Sequence, residues 1–103
     1  MKRIIVVLSL LTATIAHADD KTDKDKVCTS WGGLAAKIME LRQDEAPMSR
    51  VIELIDSDGD NPVTRHIINQ AYEQQAFESP GNQKRAVDAF RNKIELQCFK
   101  SAN

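Results

Sequence analysis

Cys28 and Cys98 are the only cysteines in a chain of 103 residues, and together they bracket most of the sequence beyond an apolar N-terminus. Joined, they close a loop of roughly 71 residues, for which the chain-entropy relation gives ~4.4 kcal/mol. That is comparable with the whole stability of a small domain. Whether they join depends on the compartment, and the first eighteen residues speak to this. MKRIIVVLSLLTATIAHA places Lys2 and Arg3 before an apolar run from Ile4 to about Ile15 and closes on Ala16-His17-Ala18, a small-x-small cleavage signal. The run is shorter than the ~20 residues a spanning helix needs. Residues 1–18 therefore read as a secretory signal peptide cleaved after Ala18. No cysteine directly succeeds the cleavage point, so no lipid anchor is expected there, and the destination is the periplasm. In that oxidising compartment a Cys28–Cys98 disulfide is predicted. A redox-active pair is not, because no Cys-x-x-Cys is present.

Cleavage removes Lys2 and Arg3 from the 14 basic residues and leaves 12 against 15 acidic ones, a net charge near −3 on 85 residues. The remaining cations are scattered and no cationic aromatic face is visible, which argues against nucleic acid as a partner. The length allows one domain, and a domain this small buries a modest core that benefits from a covalent staple.

Residues 19–27 contain DDKTDKDK, which has no apolar side chain to bury and reads as a disordered charged leader. The single domain is then 28–103. Thr29 or Ser30 offers an N-cap for a first helix with Leu34, Ile38 and Leu41 in its apolar stripe, and Gly32-Gly33 weakens its first turn. Pro47 ends that helix. Ser49 offers the next cap, before a short helix whose broad face carries Val51, Ile52, Leu54 and Ile55. Asn61 or Asp60 caps a third helix with Pro62 at its first position, and a stripe of Val63, Ile67, Ile68, Ala71 and Tyr72 leads to Ala76 and Phe77. Ser79-Pro80-Gly81-Asn82 reads as a loop. A last helix, from about Gln83 to Phe99, carries Val87, Phe90, Ile94 and Cys98 on one side, with Leu96 and Phe99 widening it. The expected fold is all-α: a small bundle of three to four short helices closed by one disulfide, with Leu34, Ile38, Leu41, Ile55, Ile67, Ala71, Val87, Phe90 and Ile94 as its core.

One stretch hints at chemistry. In Asp56-Ser57-Asp58-Gly59-Asp60-Asn61 the three carboxylates fall at positions 1, 3 and 5 of an EF-hand calcium loop, with Val63 at position 8. Position 6 is Asn61 in place of glycine, and position 12 is Ile67 in place of the bidentate glutamate. The competing explanation is that short polar residues and glycine gather wherever two helices are joined, and that aspartates suit a helix N-terminus. Asp56, Asp58 and Asp60 are thus candidate calcium ligands, and calcium is the one cofactor the sequence suggests. His66 is the only histidine left after cleavage, too few for a zinc site of ordinary composition. No nucleophile elbow is present, so no catalytic residue is assigned and enzymatic activity is not expected. Trp31 and Tyr72 are candidate interface residues, weighed against packing over the disulfide for Trp31 and core membership for Tyr72.

The segments AAKIMELRQDEAPMS, HIINQAYEQ and AFRNKIELQC together resemble small exported proteins of proteobacteria and their prophages. The resemblance runs from Cys28 to Cys98 and implies an exported helical fold, with no functional residue to carry over. The function expected from all this is a non-enzymatic periplasmic protein-interaction domain, an inhibitor or exclusion factor whose partner is another envelope protein. A calcium-binding module acting through Asp56–Asp60 and a small periplasmic stress chaperone are the alternatives.

Overall fold

The computed structural model describes residues 2–101, with side chains from Asp23 onward. The expected signal peptide, 1–18, therefore lies outside the residues described at side-chain level. Among the described residues the protein is all-α, with four helices: α1 Lys2–Gln43, α2 Met48–Ile55, α3 Pro62–Glu73 and α4 Pro80–Ser101. Cys28 and Cys98 form the predicted disulfide, with their Cα atoms 5.4 Å apart, inside the usual range for such bonds. It pins the last turns of α4 to α1, which are also the two helices that pack most extensively.

The core takes residues from every helix. Ala35, Ile38 and Met39 come from α1, Val51 from α2, Ile67, Ile68 and Ala71 from α3, and Phe90 and Ile94 from α4. Leu34, Leu41, Ile55 and Val87, expected inside, are half-buried at its margin. Three residues of the expected apolar stripes, outside the expected core, face water: Leu54 is 61% exposed, Leu96 59% and Val63 44%. Each sits at the edge of its apolar stripe, where a helix with one packed face has nothing to cover it. Phe99 is likewise exposed and does not widen the core face of α4.

The helix ends show where local signals compete. Residues 23–27, expected as irregular leader, continue α1 with their side chains exposed. Helix continuity from the packed segment after them overrides the lack of buried apolar side chains there. The hydroxyl of Thr29 donates to the Asp25 carbonyl at 2.9 Å inside this helix, so it is not a cap. Downstream, α1 stops in a Schellman arrangement: Ala46 N–H reaches the Leu41 carbonyl and Glu45 N–H the Arg42 carbonyl, each at 3.0 Å. Glu45 takes the left-handed conformation this requires, at φ 65°. Ser49 does not cap α2, because Pro47 already occupies the N-cap in extended conformation and Ser49 falls within the first turn.

The α3 start agrees with the sequence: Asn61 Oδ1 accepts from Val63 N–H at 2.9 Å and Thr64 N–H at 3.4 Å, with Pro62 at the first position. At α4 the expected loop is instead a helix start. Ser79 Oγ accepts from Asn82 N–H at 3.3 Å and Pro80 opens the first turn, an arrangement built from the same residue types that make loops.

Candidate functional site

The Asp56–Asn61 connector is satisfied by its own protein. Asp56 is buried and its Oδ2 accepts from Arg65 Nε at 2.9 Å. Gly59, at φ 68°, returns its N–H to the Asp56 carbonyl at 3.1 Å, closing the turn. Asp58 and Asp60 stay exposed. The first aspartate thus points inward to a guanidinium while the other two face solvent. Among the described residues, no three acidic, histidine or cysteine side chains gather as metal ligands. The DSDGDN spacing serves a helix junction, and the carboxylates do not converge as a calcium loop requires.

The two expected interface residues also turn inward. Trp31 is half-buried against the core and, with Cys98 and His66, lines a cavity of about 320 Å³ beside the disulfide. Tyr72 is half-buried, donates its hydroxyl to the Ala46 carbonyl and lies under the Arg42 guanidinium, 5.1 Å from the ring centroid. Burial raises its phenol pKa above the ordinary value, and the nearby Arg42 charge offsets part of that rise. These contacts make Tyr72 a fastener between the α1 end and α3.

What the aspartate loop lacks is found in the connector between α3 and α4. Residues 74–77 leave the helix with Gln74 extended at φ −84°, ψ 153°, and side chains from distant positions hold them. Arg42 Nε donates to the Gln74 carbonyl at 3.0 Å. Gln43 is buried, 4% exposed, with its amide pointing at the connector. Its Nε2 donates to the Gln75 carbonyl at 2.9 Å while its Oε1 accepts from Phe77 N–H at 2.8 Å. Gln83 Nε2, from α4, donates to the Phe77 carbonyl at 2.8 Å. A flanking residue of a parallel strand pairs with a chain in the same way, through one carbonyl and the N–H two residues on. The Gln43 side chain stands in for that strand.

Held in this way, the connector forms one wall of a groove of about 520 Å³ whose other wall is α4. Phe77, Ala86, Ala89 and Phe90 supply its apolar surface, and Arg85 and Lys93 stand at its rim. No carboxylate lines it. Among the described residues neither rim cation has a carboxylate partner, although Arg85 donates to Asn82 Oδ1 at 2.7 Å. The other two internal cations of α4 are paired, Lys84 with Asp88 at 2.9 Å and Arg91 with Glu95 at 3.2 Å. Along α4, charge is sorted by face. A second hollow, about 430 Å³, lies against the Lys84–Asp88 face and carries the acids Glu40, Asp44 and Asp88.

No protein-family model, curated protein or solved structure matches the chain. The groove must be read from its own chemistry.

Sequence reasoning gave no role to Arg42, Gln43, Arg85 or Lys93, although Arg42-Gln43 falls within the first of the resembling segments. A usable signal existed for Gln43, which comes after Ala35 and Met39 at intervals of four and so continues the buried stripe of α1. A polar side chain on such a stripe must find hydrogen-bond partners inside the fold.

Proposed function

We propose that the protein is a non-enzymatic, exported interaction domain that acts in the periplasm by binding another envelope protein. The export-type sequence of 1–18 supports the compartment, as does a disulfide that persists where thiols are oxidised. The observation that carries the binding role is the groove between residues 74–77 and α4. Its apolar surface at Phe77, Ala86 and Ala89 reaches solvent, and the segment that carries Phe77 is fixed by four hydrogen bonds from three side chains. Pre-organisation of this kind lowers the ordering cost of association. Inhibition or exclusion acting on an envelope protein is the kind of role such a contact serves, since it needs no chemistry from the binding domain itself.

A photo-crosslinking residue placed at Ala89, on the groove, and separately at Asp58, on the exposed connector, tests this in exported protein within cells. The expected result is a discrete adduct of defined mass from position 89 and none from position 58. Adducts of equal yield from both positions, or from neither, would remove the groove from the account.

A further inference from the structure

We infer that the occupant of this groove is an acidic-apolar segment of a protein, one that sets apolar side chains against Phe77, Ala86 and Ala89 while its carboxylates meet Arg85 and Lys93. This rests on the reading of the groove as a binding surface and goes on to name the chemistry of what binds.

Charge complementarity commits the occupant. A chain whose acidic residues outnumber its basic ones keeps every carboxylate off this wall and holds two cations there without a carboxylate partner. On the same helix, Lys84 and Arg91 already have carboxylates four residues on. The second hollow, where Glu40, Asp44 and Asp88 outnumber Lys84, is the less favourable place for the same ligand. Cations flanking an apolar floor attract an anionic segment locally even when the molecule as a whole is acidic, and the attraction weakens with salt.

The backbone of residues 75–77 favours a polypeptide over a simple amphiphile. Gln43 takes the Gln75 carbonyl and the Phe77 N–H, the two groups that a parallel neighbour takes from a strand on either side of its opposite residue, here Ala76. Among the described residues, neither the N–H nor the carbonyl of Ala76 has a hydrogen-bond partner. Ala76 lies between two groove-lining residues, Gln75 and Phe77. A peptide main chain can pair with those two free Ala76 groups as a strand does, whereas a fatty acid has no main chain to offer.

The test uses the oxidised chain from Asp19 onward, labelled with nitrogen-15. It is titrated with acetyl-Glu-Leu-Phe-Glu-amide, with acetyl-Lys-Leu-Phe-Lys-amide and with dodecanoate, and each titration is repeated on the double variant Arg85→Glu, Lys93→Glu. The acidic peptide should move the amides of Ala76, Phe77, Ala86, Ala89 and Phe90. Its binding should weaken at least tenfold in the double variant and fall as salt is raised, while the lysine peptide binds at least tenfold more weakly. An unchanged thermal midpoint for the variant shows that its fold is intact, as expected for two exposed positions. Equal binding of both peptides, undiminished binding by the variant, dodecanoate alone moving these amides, or no shift with any probe would each overturn the inference. The cellular crosslink from position 89 separates this failure from that of the groove itself. A crosslink that survives Arg85→Glu, Lys93→Glu leaves the binding surface standing and removes its acidic occupant, whereas no crosslink in the unaltered protein removes both.

Discussion

The two polar connectors of this protein invert their apparent importance. Between α2 and α3, DSDGDN carries a spacing that suggests an ion site, yet its bonds close within nine residues: Asp56 to Arg65, Gly59 to Asp56, Asn61 to the α3 amides. Between α3 and α4, the stretch Gln74-Gln75-Ala76-Phe77 looks bland, but Arg42 and Gln43 reach it across 32 to 34 positions of sequence. A locally satisfied connector joins two helices and does nothing more for its neighbours. A connector that cannot satisfy itself must be shaped by the rest of the fold, and that shape is what leaves a rigid wall beside α4.

Substitutions can break this contrast, and the largest effect is expected at Gln43. Gln43→Ala strands the Gln75 carbonyl and the Phe77 N–H in partly buried surroundings and should cost about 2–3 kcal/mol in urea unfolding at unchanged m. A loss below about 0.5 kcal/mol would show that water replaces the clasp freely. Next comes Asn61→Ala in the aspartate connector. It removes one N-cap and should cost about 1 kcal/mol, leaving the amides of residues 74–77 unperturbed in a nitrogen-15 spectrum. Propagation of shifts from Asn61 to Phe77 would mean that the two connectors are not independent.

The smallest effect is expected at Asp58, whose side chain is exposed. Asp58→Ala should change stability by less than about 0.5 kcal/mol, and the thermal midpoint should be the same in calcium as in chelator before and after the change. Saturating calcium at a hundred times its dissociation constant would instead add about 2.7 kcal/mol. A midpoint rise of several degrees, lost in Asp58→Ala, would restore the connector as an ion site.

Much of the fold was legible because its signals are local. Asn61 and Pro62 mark a helix start within four residues. Ile38, Ile67, Ala71, Phe90 and Ile94 recur at helical spacing, and two cysteines have one way to pair. The misreadings came where one residue set serves two structures. Ser79-Pro80-Gly81 makes a loop or a capped first turn equally well, and the bonds from Asn82 N–H to Ser79 Oγ and from Gln83 N–H to the Ser79 carbonyl distinguish them. Ser49 is a good cap in isolation and lost to Pro47, whose extended backbone comes first. The candidate site was the least legible part, since the groove depends on which faces of α4 and residues 74–77 meet. Gln43 gave a trace of itself as a polar residue on a buried stripe, but its partners, backbone groups more than thirty residues away, carry no side-chain signature.

Amide hydrogen exchange at Phe77 tests the central claim most directly, because that N–H is held by the Gln43 side chain alone. The account predicts that Phe77 exchanges slowly in the native protein, far more slowly than the amide of Asp58 in the other connector, and that Gln43→Ala abolishes the difference. Exchange of Phe77 as fast as Asp58 in the unaltered protein would contradict it, for the connector would then be an ordinary loop and the groove would have no fixed wall.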